Sequence, residues 1–353
     1  MQKTTTVPLV PEFLKFISAS QKGRRTKYPG KKLSKGTINQ YKCVYKLLGE
    51  YETKYNTTLT LTLLRRNSLP LLKSQKKYWA TFLKNFLSFL YNRKNYFDNY
   101  VSSVLKVIRC VFNYLVQERN LPIGNFHNQF KIPCKDTSPL ALEPAQLRFL
   151  IVSKDFENAL PAHLVRTKDL FVFGCSVALR FSDLMRLKKS DVINSPCGAY
   201  LIVYTQKTGT EVRLPLPGYL IDIINKYKSS VRRYLLPRLS LTNFDLQVKT
   251  LCQKAGWDYV VRKIRYKQGK AIERTHKGRS FCFAEQVSSH TMRRTAITTL
   301  LILGTPEMIV RRLSGHSAGS REFYRYVMVA QHYLDKEVKQ AFIRLIRDIG
   351  YEI

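Results

Sequence analysis

The sequence is poor in acid. It sets 24 aspartates and glutamates against 60 lysines and arginines, a formal net charge of +36 over 353 residues. A surplus of that size calls for a polyanionic partner, either nucleic acid or an anionic membrane surface. Long apolar runs are also missing. A run such as "AITTLLILG" (296–304) falls far short of the roughly 20 residues that span a bilayer, and the opening "MQKTTTVPLVPEF" lacks a signal-peptide core, so a membrane is not the expected partner. The seven cysteines are odd in number and scattered, and no Cys-x-x-Cys pair exists. That argues against a zinc knuckle or a disulfide framework and fits reduced thiols in the cytoplasm, nucleoid-associated in a bacterial host. Internal repeats and low-complexity tracts are absent as well. What remains is 44% hydrophobic and 12% aromatic, the composition of a folded globule of one large or two moderate domains. A basic globule of this kind most simply binds DNA or RNA.

Along the chain the first 33 residues contain "QKGRRTKYPGKK", in which Arg24, Arg25, Lys27, Lys31 and Lys32 surround Pro29 and Gly30. This reads as a basic N-terminal arm lying on phosphates. Residues 34–130 read as a helical DNA-binding domain. Ile38, Tyr41, Val44 or Tyr45 and Leu48 share one helical stripe behind a cap at Ser34 or Thr37. Trp79, Phe82, Phe86 and Phe89 form a second stripe, and Val104, Ile108, Val111 and Leu115 a third, with lysines opposite. Residues 131–139 carry Pro133 and Pro139 and no periodic pattern, which predicts a linker. A second domain, 140–353, would open with a helix at Glu143 and Pro144. Within it a helix ends near Leu179, and a short helix follows with Ser182 as cap and Asp183 in its first turn. "AYLIVYTQKTGTEVRLPLP" is a β-hairpin around Lys-Thr-Gly, ended by Pro215 and Pro217. "TPEMIVRRLSGHS" is a helix with Thr305 as cap, Pro306 in the first turn and Gly315 beyond its end.

His290 and Arg293 lie three apart in "SHTMRRTAITTLL". If a helix begins at Ser288 or Ser289, they share its first turn, where backbone N–H groups already favour an anion. Arg294, next along, is expected on another face, against DNA backbone or in a salt bridge. Four further elements accompany the pair in a fixed order. Arg180 sits at a helix junction in "GCSVALRFSDLMRL", and Lys207 sits at the hairpin tip in "YTQKTGTEVRLPL". In "LSGHSAGSREFYRYV", His316 follows a glycine turn, with Tyr324 eight and Tyr326 ten residues on. From about Leu140 to the end of the chain, this order resembles the tyrosine recombinase, or phage-type integrase, family. Its pattern is Arg, Lys, His-x-x-Arg, His or Trp, then Tyr. The helical first part fits the family's core-binding domain in size and charge without carrying a motif of its own.

The resemblance implies a mainly α protein with a small antiparallel β-hairpin or sheet in its catalytic domain, arranged as a two-domain C-shaped clamp on DNA. It implies site-specific cutting and rejoining of strands through a 3′-phosphotyrosyl intermediate, with no metal or other cofactor. A phenol titrates near pH ~10, so it needs a proton acceptor and a positive setting to attack at neutral pH. The resemblance assigns proton acceptance to His290, the grip on the non-bridging oxygens to Arg180 and Arg293, and a hydrogen bond to the phosphate to His316. It assigns protonation of the leaving 5′ oxygen to Lys207. Either tyrosine could attack by spacing. "FYRYV" and the continuation "YVMVAQHYL" resemble the family around its nucleophile and favour Tyr326 over Tyr324. The partner would be double-stranded DNA at paired recombination sites, held by a tetramer; "DKEVKQAFIRLIRDIGYEI", with Phe342, Leu345 and Ile346 as its apolar stripe, reads either as the docking helix or as a core helix of its own chain. Two other readings share the motif: a type IB topoisomerase relaxing DNA as a monomer, and a non-catalytic DNA-binding protein on the same scaffold.

Overall fold

The computed structural model describes residues 5–347 except positions 29, 65–68, 136–138, 197, 205–208, 210, 230–232 and 317–318. Within them the chain is mainly helical with small antiparallel sheets, and no helix among the described residues is long and apolar enough to cross a membrane. It divides into two compact units, residues 1–136 with 264–273, and residues 137–263 with 274–353.

The first unit contains β1 (Thr6–Pro8), α1 (Leu9–Gln21), β2 (Thr26–Tyr28), β3 (Lys31–Lys32), α2 (Lys35–Tyr55), β4 (Thr60–Thr62), α3 (Leu69–Ser88) and α4 (Asp98–Asn113). The three expected stripes all turn inward, and Trp79 meets Phe112 edge to face at 5.0 Å in the middle of the core. Ser34 caps α2, its hydroxyl accepting from Thr37 N–H at 3.2 Å. The expectation for residues 1–33 needs correction. Leu9, Phe13, Phe16 and Ile17 recur at helical spacing, so α1 is a core helix and not part of an arm. Arg25 is held inward too. Its Nε donates to Glu118 at 2.8 Å, and its guanidinium lies over the rings of Phe16 and Tyr114 at 4.4 and 5.3 Å. Arg24 and Lys32 remain exposed, whereas the side chains of Lys27 and Lys31 lie outside the described residues.

Residues 264–273 come from an antiparallel hairpin, β8 (Lys263–Lys267) and β9 (Lys270–His276), that the sequence pattern did not reveal. Its turn residues Gln268 and Gly269 both have left-handed φ, the two-residue turn that matches strand twist. Their amides donate to the buried carboxylate of Asp98 at 2.8 and 3.0 Å, and Tyr91 donates its hydroxyl to the same group at 2.8 Å.

The second unit runs through α5 (Pro144–Val152), α6 (Lys154–Asn158), α7 (Ala162–Val177), α8 (Phe181–Leu184), β5 (Val192–Ser195), β6 (Gly198–Tyr204), β7 (Glu211–Pro215), α9 (Gly218–Tyr227) and α10 (Leu241–Lys254). After the hairpin come β10 (Arg279–Ser280), α11 (Phe283–Gln286), α12 (Ser289–Ile302), α13 (Glu307–Ser314) and α14 (Arg321–Arg347). The expected hairpin is β6–β7, in register at Val203↔Val212, with β5 as a third strand that the pattern had not suggested. α7 is the central helix, with Leu170 to Phe173 buried all round. It packs on α12 at Gly174, where a Cβ would come within 2.3 Å of Met292 Sδ, so only glycine permits this close approach. Two expected caps are displaced by one or two residues. Arg180, not Ser182, occupies the N-cap position of α8, and Pro306, not Thr305, that of α13.

Candidate active site

α7 ends at Ala178, whose φ of 54° is left-handed and turns the chain sharply, so that Arg180 leads into α8. α12 begins one residue after Ser288 and places His290 at the surface and Arg293 inside, at 5% exposure. α13 ends on Gly315 with φ of 62°, and the next amide, His316 N–H, returns to Arg311 O at 2.9 Å. Two left-handed turns and one helix start thus aim Arg180, His316 and the His290–Arg293 pair.

Arg293 joins them. Its Nη1 donates to Ala178 O at 2.8 Å and its Nη2 to Ser314 O, two residues before Arg180 and two residues before His316 respectively. The same Nη2 lies 3.4 Å from both ring nitrogens of His316, whose Nδ1 is 2.8 Å from the buried hydroxyl of Ser314. Burial and, after it, the neighbouring charge of Arg180 bring the Arg293 pKa down to about 10, against the opposing pull of Tyr326, Asp183 and Glu322. The two guanidinium groups of Arg180 and Arg293 therefore repel each other. Arg180 Nη1 is buried and has no hydrogen-bond partner among the described residues, an arrangement that favours an anion between the two.

His290 titrates below its ordinary range. Desolvation is the main cause, with Arg294, Arg293 and Arg180 adding to it and Asp245 working against it. Arg294, four residues further along the same helix, is thus a charged neighbour of His290. Asp183, buried within α8, pairs with Arg186 at 2.9 Å.

The two tyrosines separate on α14. Residues two apart on a helix point about 200° apart. Tyr326 is half-buried, its ring 5.9 Å from that of His316 and 6.1 Å from that of the buried Phe323. Tyr324 is 54% exposed and lies against Arg311, whose guanidinium is 5.0 Å from its ring. Arg180, His290, Arg293, His316 and Tyr326 therefore meet, and Tyr324 stands apart from them. Lys207 lies outside the described residues, in the β6–β7 connection. Sequence reasoning missed the carbonyls of Ala178 and Ser314, which carry no side-chain signature, and Asp245, which is 45 positions from His290.

Comparison with protein-family models matches residues 152–332 to the phage integrase family. Comparison with curated proteins finds no match. Among solved structures, the chain is similar to the XerH site-specific recombinase in a post-cleavage complex with its palindromic difH substrate (13% identity, TM-score 0.64, 94% of this chain and 95% of that one). It is also similar to a lambda integrase dimer bound to a COC′ core site (15% identity, TM-score 0.56, 91% and 95% coverage). A third likeness is to the Tn1549 transposon integrase with circular intermediate DNA (11% identity, TM-score 0.52, 91% and 99% coverage). At such identities the structural likeness is one of fold, whereas the family match covers just over half the chain and the whole cluster through Tyr326. The chain belongs to the phage integrase family, the tyrosine-type site-specific recombinases.

Proposed function

We propose that the chain cuts and rejoins double-stranded DNA at specific sites, with Tyr326 as nucleophile. The observation that carries this reading is the buried guanidinium of Arg293, which ties the Arg180 and His316 segments together beside a half-buried phenol. A scissile phosphate in this setting places its non-bridging oxygens on Arg180 and Arg293, with His316 as a further hydrogen-bonding group. Tyr326 Oη attacks phosphorus and its proton passes to His290, whose pKa desolvation and the neighbouring arginines lower. The P–O5′ bond breaks, and Lys207 protonates the departing 5′ oxygen. One phosphodiester becomes a 3′-phosphotyrosyl ester plus a 5′-hydroxyl, so no bond energy is lost to water. The 5′-hydroxyl of a partner strand reverses the step and releases the phenol. No metal or nucleotide enters this scheme.

Strand exchange requires two sites and, in this reading, four protomers. Val338, Phe342 and Leu345 support it, because they leave an apolar stripe exposed along the far end of α14. The expected docking segment is thus the continuation of the helix that carries Tyr326, and the same helix would serve both assembly and attack. The activity belongs in the cytoplasm, alongside the DNA it acts on.

The test is covalent trapping on a library of nicked duplexes randomised around the nick, which captures the 5′-hydroxyl fragment's departure as a denaturation-resistant adduct. Wild type and Tyr324→Phe are expected to form the adduct and Tyr326→Phe to form none. Adducts from Tyr326→Phe would move the nucleophile elsewhere. No adduct from any form, despite retained DNA binding, would leave only a binding role. Binding itself should weaken steeply with salt, about 10³-fold or more between 50 and 200 mM, because many phosphate contacts release counterions. A flat response would contradict a backbone-clasping surface.

A further inference from the structure

α10 contributes a residue that no motif contains. Asp245 Oδ1 accepts the N–H of Ser289, the first residue of α12, at 2.7 Å. The amide before it, Ser288 N–H, is satisfied within the helix start by Thr291 Oγ1 at 3.0 Å. The turn that aims His290 is thus fixed from outside by a carboxylate on another helix. The charged groups acting on His290 are Arg294 and Arg293 from its own helix, Arg180 from the start of α8, and Asp245 from α10. The three cations make the imidazole a poorer proton acceptor, and Asp245 is the carboxylate that opposes them.

We propose that Asp245 is a positioning residue for strand cleavage: its carboxylate anchors the first turn of α12 and sets the basicity of His290. The inference rests on His290 being the proton acceptor. It is a role for the charge as well as for the hydrogen bond, and this separates it from ordinary helix capping. Asp245→Asn keeps an acceptor for Ser289 N–H and removes only the charge. Asp245→Glu keeps the charge on a longer arm.

The experiment measures single-turnover cleavage of a nicked duplex, selected from the randomised library, between pH 5 and 9, and titrates the His290 ring by NMR in the same proteins. In Asp245→Asn the acidic limb of the rate profile and the His290 titration should move down together by about half to one pH unit. The sign follows from the chemistry. With the negative charge gone the imidazolium loses support, the neutral form persists to lower pH, and the weaker acceptor slows the plateau about threefold. Asp245→Glu should restore most of both. Profiles and titrations of Asp245→Asn that superimpose on wild type would overturn the proposal and leave Asp245 a cap. A His290 titration that moves while the cleavage profile does not would overturn His290 as proton acceptor, and the catalytic meaning of Asp245 with it. Failure of wild type to form any adduct would sink the recombinase reading itself, a different outcome from either.

Discussion

Replacing Arg293 by lysine tests whether its guanidinium acts as a joint or only as a charge. The positive charge stays, but the fork is lost. Arg293 donates from Nη1 to Ala178 O at 2.8 Å and from Nη2 to Ser314 O, in a place where it is 5% exposed. A single ammonium cannot bridge both carbonyls and still face a phosphate. One buried acceptor is left unsatisfied, at a cost of about 1–3 kcal/mol. For a unit of this size that corresponds to a fall in Tm of about 2–4 °C per kcal/mol. The rate should fall further than stability does, by about 10²–10³-fold, the scale for losing one fixed donor on a charged transition state. DNA affinity should change by less than about threefold, since the net charge facing phosphate is retained. The assays are thermal melting, single-turnover adduct formation and titration with the same duplex. A variant that melts like wild type, or cleaves within fivefold of it, would refute the claim that one guanidinium assembles the site.

Two further changes probe the surroundings. Arg311 is nearly buried, pairs with Glu307 at 2.6 Å and lies 4.2 Å over the ring of Phe323, so Arg311→Met should loosen the start of α14. Cleavage should drop at least about tenfold while binding holds, since misplacing a reacting group by ~1 Å has that scale of effect; equal loss of both would argue for general unfolding. Far from the site, burial pushes Glu157 up, but hydrogen bonds from Lys168 and Lys226 outweigh it and bring its pKa down to about 2 from an ordinary 4.5. A depressed carboxylate stabilises fully above its unfolded pKa and loses that contribution as pH falls towards its folded one. Melting temperature should therefore fall between about pH 4.5 and 2, and Glu157→Gln should remove about 1 kcal/mol at pH 7, since solvent screens this partly exposed cluster, and flatten that fall. An unchanged acid profile in the variant would show that the pair contributes nothing.

Much was legible in the sequence because it is written locally. The stripes of Ile38 to Leu48, Trp79 to Phe89 and Val104 to Leu115 are core for the same reason they are visible, namely that 3.6-residue periodicity puts them on one side of a helix. The order of Arg180, the His290–Arg293 pair, His316 and a following tyrosine pointed to the family without any structure. The failures share one cause. Leu9 to Ile17 has the same periodicity, but the basic stretch after it drew the whole of 1–33 into an arm. Arg25 reads as a surface cation until Phe16, Tyr114 and Glu118 fold around it. The β8–β9 hairpin carries lysines and arginines where strand patterns ordinarily show alternation, and its turn is held by Asp98, about 170 positions away.

By itself, then, the sequence determined the apolar stripes of Ile38 to Leu48, Trp79 to Phe89 and Val104 to Leu115, the β6–β7 hairpin, and which reactive side chains exist in which order. All of these depend on neighbours a few residues away. Only the tertiary structure placed the Tyr326 ring beside His316 and that of Tyr324 against Arg311, because the two differ by about 200° around one helix and spacing weighs them equally. It also decided that a single guanidinium would join the carbonyls of Ala178 and Ser314, and that Asp245 would stand before Ser289. Those contacts form between surfaces far apart in the chain, where packing, and not the local residue pattern, selects the partner.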